Sequence, residues 1–434
     1  MSVPEKGPFA ASIRMSRRRF FQVAAGVIAW AATGERVSLG GYYRVGVGKR
    51  ESPYEATVRA IDASGQWPSS NILGKKVIIK PNLVLPVGAD TGVTTDPEVV
   101  RALVDLSLDD GAEQVAIVHG ELNGPNFSEC GYDFFASYDV RVRLVNLKDE
   151  PVSLAEVPGG MAYHQLFIPQ LLTDDNVVLI SAAKLKTHLD THATLSTKNL
   201  MGLTPIDRYR YSADTWRFAM HERGISQVIV DVNLACPVDY AVVDGIWGME
   251  GNGPAQGTPV RMNMVLAGMN QVAVDRVCLK ATSIPQKGVS HLDYAARKGL
   301  GPIELNEIAV LGDQFTSRRF KWPSDLPPLI AYPRAVPNSF RPSTGQQVFV
   351  GYKVPFACLT RVEIIGTSDT SPEITRIRLL RDWERRSSGL DILKWDGMDD
   401  NGDLVPPGSY TMRIQAKYRD AGNDTYATGW VEVM

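Results

Sequence analysis

The chain has few of the features that assign a chemistry outright. Its four cysteines, Cys130, Cys236, Cys278 and Cys358, are scattered and form no C-x-x-C pair. That spacing argues against a cysteine-rich zinc site and against a contiguous iron–sulfur motif. It does not say whether any two of them form a disulfide. No apolar run reaches the roughly 20 residues that a membrane-spanning helix needs. Charge is nearly balanced, 46 Lys and Arg against 48 Asp and Glu, for a net charge of −2. Whole-chain electrostatics therefore gives no reason to expect nucleic acid or an anionic membrane as partner. The glycines match neither a P-loop nor G-x-G-x-x-G, and Leu189 stands where an H-E-x-x-H helix would carry glutamate.

Against these absences stands one dense stretch, Lys184–Gly202, KLKTHLDTHATLSTKNLMG. It gathers Lys184, Lys186, Lys198, His188, His192, Asn199 and several hydroxyl residues. Just before it, Val177–Ser181 (VVLIS) reads as a buried parallel strand. Open α/β sheets place ligands beyond the C-terminal ends of such strands, which makes this stretch the centre of a candidate site.

The rest of the 434 residues, 44% hydrophobic and 22% charged, reads as two or three domains. Strands are expected at Tyr42–Arg50, Lys76–Lys80, Val115–Val118, Val140–Leu147, Tyr240–Val243, Met262–Ala267 and Glu307–Leu311. Helices are expected at Pro53–Gly65, after Asp96-Pro97 as cap and first position, at Phe127–Tyr138, Ile225–Ala235, after Asn270 and at Val289–Gly299. Val152–Phe167 reads as a β excursion around Pro158-Gly159-Gly160. The segment after Asp207, RYRYSADTWRF, suggests an exposed insertion or lid. This alternation is that of an α/β domain with a mostly parallel sheet, assigned to residues 42–319. Prolines crowd 320–342, which reads as an extended linker. Residues 343–434 alternate as a small β-sandwich.

Three resemblances add to this. Ser16-Arg17-Arg18-Arg19-Phe20-Phe21-Gln22, followed by the short apolar Val23–Ala32, resembles a twin-arginine export signal. It implies a leader over 1–41, the twin-arginine machinery as partner and a periplasmic or extracellular destination. No membrane span is expected beyond an uncleaved leader. Residues ~72–312 resemble the domain-of-unknown-function family numbered 362. The resemblance rests on VIIKPNLV (Val77–Val84), TTDPEVVRALVDL (Thr94–Leu106), AKLKTH (Ala183–His188), LSTKNLMG (Leu195–Gly202), VVDGIWGMEGNGPAQGTPV (Val242–Val260) and MVLAGMNQVAVD (Met264–Asp275). Many members of that family carry ferredoxin-like iron–sulfur cysteines. This chain has no such spacing, so no redox role comes with the resemblance. Finally, LKWDGMDDNGDLVPPGSYTMRIQA (Leu393–Ala416) resembles the immunoglobulin-like domain of the flagellar hook-cap protein. Trp395 and Tyr410 are expected as its core anchors. Asp396, Asp399, Asp400 and Asn401 are expected to shape turns rather than hold calcium, because the closing glutamate of a twelve-residue calcium loop is absent.

The candidate site residues follow from charge and position. Lys80, Asn82, Lys198, Asn199 and the weaker candidate His119 are assigned to binding of a small anionic ligand. Lys184, Lys186 and His188 are assigned as base, acid or nucleophile. Asp244, Glu250 and Asp275 are the oxygen set for a divalent metal, with helix capping and turn formation as the equal alternative. His188 and His192, four apart, would share a helix face. Three functions stay open: an exported enzyme acting on a small anionic substrate, a ligand-binding protein with the same pocket, and an assembly protein using its Ig-like tail.

Overall fold

A computed structural model describes residues 43–120, 127–210, 217–323, 330–354, 357–367, 374–417 and 425–434. The export motif, Glu121 and the middle of the expected lid lie outside these residues. The first part holds β1 (Tyr43–Lys49), β2 (Lys76–Pro81), β3 (Gln114–His119), β4 (Val142–Asn146), β5 (Val152–Glu156), β6 (Gln165–Pro169), β7 (Val177–His188), β8 (His192–Thr194), β9 (Tyr240–Glu250), β10 (Thr258–Gly268) and β11 (Ile308–Gly312). One sheet runs β11-β1-β10-β9-β7-β2-β3-β4, with β8 folded back on β7. Along that order only β10 is antiparallel to its neighbours. β5 and β6 pair separately as the expected hairpin.

The strands read as apolar runs because both faces of the sheet are covered. Alternation sends Val178, Ile180 and Ala182 of β7 into one core and Leu179, Ala183 and Leu185 into the other. Helices α1 (Pro53–Ser64) and α2 (Pro97–Asp109) cover the first face. Helices α3 (Ile225–Ala235), α4 (Gln271–Thr282) and α5 (Ser290–Arg297) cover the second. Their starts follow the expected chemistry: Asp96 accepts from Glu98 N at 2.9 Å and Asn270 from Ala273 N at 2.9 Å. The glycines of β1 are a packing requirement, since a Cβ on Gly46 or Gly48 would stand 1.9 or 2.0 Å from the Ala60 or Ala56 carbonyl of α1.

Three expectations are corrected. Phe127–Tyr138 forms only a short 3-10 turn at Asp133–Ser137, its aromatics stacking on one another instead of lining a helix face. The glycine-rich segment after Val243 continues as strand to Glu250, because β10 pairs with it on both sides of a bulge between Arg261 and Met264. Part of the expected linker is structure: β12 (Ala331–Val336) and β13 (Ser339–Phe340) pair with the tail.

The tail adds β14 (Val348–Val354), β15 (Cys358–Thr367), β16 (Ile374–Arg386), β17 (Gly389–Trp395), β18 (Gly408–Lys417) and β19 (Thr425–Val433). Sheets β12-β14-β17 and β13-β19-β18-β15-β16 enclose one core. Trp395 and Tyr410 sit in it, ring centroids 5.6 Å apart. Asp399 accepts from Asn401 N and Asp403 N at 2.9 Å each, the expected turn chemistry. All four cysteines are buried, and none forms a disulfide.

The sandwich docks at the start of α3. Thr411 Oγ1 donates to the Arg223 carbonyl at 2.9 Å, Thr428 Oγ1 to Gln227 Oε1 at 3.3 Å, and half-buried Trp430 packs on the α/β core. Trp430→Ala should remove most of this apolar contact, a loss of about 1–3 kcal/mol. Scanning calorimetry should then resolve two unfolding transitions where the parent shows one. A single transition retained in the variant would show that the two parts are coupled by other means.

Candidate functional site

Chain order along the sheet reverses between β2 and β7. From β2 the chain steps outwards to β3 and β4, and β7 and β9 lie on the other side. Such a switch point opens a crevice beyond the C-terminal strand ends. Lys80 pairs with Ser181 there, and Lys184 with Asp244 across β7 and β9.

β7 runs seven residues beyond Ser181, so the first part of the cationic stretch is itself strand and wholly buried. Lys184 and Lys186 alternate with Leu185 and share the α1–α2 face. Both are 0% exposed. Lys184 Nζ donates to Asp244 Oδ2 at 2.8 Å and to the Ala89 carbonyl at 3.2 Å. Lys186 Nζ donates to the Val93 carbonyl at 2.8 Å. No carboxylate among the described residues pairs with it. Burial first, then the charges of Lys198, Lys184 and Lys80, push Lys186 well below the usual lysine range. The loop carrying Ala89 and Val93 closes over these amines from between β2 and α2. Gly92 holds it at φ +74°, where an added Cβ would stand 2.4 Å from the Gly248 carbonyl.

Asp244 serves the fold as well as Lys184. Its Oδ2 accepts from Asp96 N at 2.8 Å and its Oδ1 from Ile246 N at 2.9 Å. Burial, with Asp244 beside it, pushes the Asp96 carboxyl up to about 6.

On the other flank, Asn82 Nδ2 donates to Asn199 Oδ1 at 3.1 Å, and Asn199 Nδ2 to the Lys80 carbonyl at 2.8 Å. This ties the β2 end to the Ser196–Asn199 turn. Asn82 Oδ1 is buried with no partner among the described residues. The turn is held from below by Asp275 of α4, which accepts from Ser196 N, Thr197 N and Thr197 Oγ1 at 2.7–2.8 Å. Asn233 of α3 donates to the Thr197 carbonyl at 2.9 Å.

The histidines stand on a hairpin, not a helix: His188 and His192 face each other across the β7–β8 pair. The intervening residues turn back as soon as the strand ends, and His192 takes φ 64° to do so. His188 Nδ1 accepts from Asp190 N at 3.0 Å, which places its ring proton on Nε2. Burial, then Lys198 and neighbouring histidines and lysine, hold His188 well below the usual range. His119 is buried, and neither ring nitrogen has a partner among the described residues. Burial, then Lys80 and Arg217, keep it neutral too.

His291 on α5 was not singled out from sequence, although it sits beside Leu292 on that helix's buried face. It is 0% exposed with both nitrogens unpartnered, and burial, then Lys198, drive it down to about 3. The unfolded chain takes up this proton below pH 6.5 and the folded chain only near 3. Stability is therefore present above the unfolded value and lost as pH falls. By pH 5 His291 should cost about 2 kcal/mol. Asp231 and Asp275, both raised to about 7 by burial, work the other way over the same range. Urea unfolding of His291→Leu against the parent isolates the histidine, and the gap in stability should shift by this amount between neutral pH and pH 5.

The proposed metal set is not assembled. Asp244 is committed to Lys184, and Asp275 to the Ser196–Asn199 turn. Glu250 accepts from Lys321 N at 3.0 Å at the far end of β9. Among the described residues no group of three His, Cys, Asp or Glu side chains could hold a metal ion. These carboxylates stand on two elements, β9 and α4, and each serves a different neighbouring segment. A separate cavity of about 380 Å³ opens beside Gly120, lined by Lys148, Glu150, Asp207, Arg208 and Arg217.

The strand-end lysines, the paired asparagines and the turn at Ser196–Asn199 all fall within one matched stretch. Residues 77–280 match the model of the DUF362 family, a domain of unknown function. Over 282 residues the chain is 25% identical to the thylakoid-associated protein sll1697 of Synechocystis, covering 62% of this chain and 83% of that one. FlgD from Pseudomonas aeruginosa matches 20% of this chain and 64% of its own at 17% identity and a TM-score of 0.17. Neutral ceramidase from the same organism matches 34% and 27% at 14% identity and a TM-score of 0.16. Lys80, Asn82, His119, Lys184, Lys186, His188, Lys198, Asn199, Asp244, Glu250 and Asp275 all lie inside the DUF362 domain.

Proposed function

We propose that the protein is exported and that its DUF362 domain acts on a small anionic substrate at the C-terminal edge of β2 and β7. The observation that carries this is Lys186: a wholly buried lysine with a neutral carbonyl as acceptor, in the field of three more lysines. Excess positive charge in an interior is costly unless an anion offsets it. In this reading Lys80, Lys198, Asn82 and Asn199 hold the anion, and His188 or Lys186 exchanges a proton with it. The full burial of Lys186 also fits a protein that sequesters an anion without turnover.

Native mass spectrometry of protein exported by its own leader shows whether a small acid copurifies. Calorimetric titration with citrate and orthophosphate then measures affinity directly. Lys80→Met or Lys198→Met should weaken binding by about tenfold or more, since each removes a charged contact of roughly 1.5–3 kcal/mol. Unchanged affinity in both variants would sink the reading. His188→Gln separates the two forms: an enzyme loses turnover of the copurified acid while still binding it, whereas a binder changes only in affinity. Export rests on Ser16–Gln22. Replacing Arg17 and Arg18 by lysine should leave the full chain in the cytoplasm, and continued export would remove the twin-arginine assignment.

A further inference from the structure

We propose that Lys186 is a nucleophilic amine that forms an imine with a carbonyl-bearing organic acid, a 2-oxo acid in the simplest case. The proposal rests on the anion-site reading above and names its substrate class. It starts from a difference between two neighbouring lysines. Lys184 has a carboxylate, Asp244, at 2.8 Å, and a carbonyl at 3.2 Å. Lys186, two residues on and equally buried, has the Val93 carbonyl at 2.8 Å as its acceptor among the described residues. An ammonium carries three donors and a full charge, and this site serves neither. A neutral amine needs only one acceptor for an N–H and keeps its lone pair, which is what the surroundings of Lys186 provide. Burial and the charges of Lys198, Lys184 and Lys80 act in the same direction. Those charges would also hold the acid's carboxylate.

The chemistry balances without a further reagent. The amine lone pair attacks the carbonyl carbon, and the C=O π pair moves to oxygen, which takes an amine proton. The resulting carbinolamine loses water, using the second amine proton, and leaves a C=N bond to Lys186. The loop between β2 and α2, whose Pro86, Gly88 and Asp90 are exposed, covers Lys186, and the acid would enter by displacing this loop. Its base is closed by the Leu83–Thr94 bridge. The Val93 carbonyl is the acceptor that the substrate would displace.

The test uses the full chain with pyruvate and 2-oxoglutarate as probes and cyanoborohydride to trap an imine at neutral pH. Peptide mapping of the parent protein should place the reduced adduct on Lys186, formed at least about tenfold faster than on exposed Lys321 or Lys76. Lys186→Met should abolish it. Adduct spread over exposed lysines, or none, overturns the proposal even if that variant fails to fold, because the parent is mapped directly. If pyruvate binds in calorimetry without an adduct, imine formation fails and the anion site stands. If no acid binds, both fail.

Discussion

Replacing Asp244 by asparagine should destabilise the protein by about 3–5 kcal/mol, the usual cost of stripping one partner from a buried ion pair. Both side chains of the Lys184–Asp244 pair are 0% exposed. Asparagine can still accept from Ile246 N, but its amide nitrogen would meet two donors, Lys184 Nζ and Asp96 N, where Oδ2 now accepts from both. The lysine charge is then left in the interior without compensation. Lys184→Met should cost less, because Asp244 keeps its two backbone donors. Joining Lys184→Met to Asp244→Leu should recover much of the loss, since an apolar pair of similar volume needs no solvation. Urea midpoints at constant slope measure all three. A second signal accompanies the first. Asp96 is raised to about 6 by burial and then by Asp244, so its titration should move down when Asp244 is neutralised. A loss below about 1 kcal/mol would mean that the Lys184 side chain reaches water.

Much of this site is legible in the sequence because strand ends in a parallel sheet are predictable places. The spacing of apolar runs puts Lys80, Asn82 and Lys184 at the correct edge, and Asp96-Pro97 marks the start of α2. What the sequence hides is partnership. Asp244 and Lys184 are 60 residues apart, and nothing local says that β9 lies beside β7 rather than across the sheet. Lys186 looks like a solvated lysine until the loop bearing Val93 is seen to close over it. His188 and His192 fit a helix by spacing, yet a hairpin brings them together as well, through a residue at positive φ that no short window requires. Asp275 and Glu250 read as metal ligands because a carboxylate in a polar stretch looks the same whether it meets a cation or a row of backbone N–H groups.

Asp275→Ala should carry the second large effect, a loss of about 3–5 kcal/mol together with weaker anion binding, although Asp275 is placed beneath the site and not in it. The residue is 0% exposed and accepts three hydrogen bonds from Ser196 and Thr197. Alanine leaves those donors buried and unmet, at about 1–3 kcal/mol each before the turn relaxes. Relaxation is itself the functional consequence: Lys198 and Asn199 follow within two residues, and Asn199 ties the turn to Lys80 and Asn82. Asp275→Asn keeps one acceptor and should cost less, and Thr197→Val, which removes only the hydroxyl bond, about 1 kcal/mol. The order alanine, asparagine, Thr197→Val should hold for stability and for citrate affinity alike. Stability lost without affinity would uncouple the turn from the site. The asparagine variant also reads the ionisation of Asp275. Burial raises its carboxyl from 3.8 to about 7, so the folded chain keeps a proton that the unfolded chain has given up. That contribution is full below pH 3.8 and lost as pH rises through 7, so the parent's advantage over Asp275→Asn should narrow between pH 4 and 7. An advantage that widens instead would mean that three hydrogen bonds outweigh burial and that a buried carboxylate anchors the cationic turn.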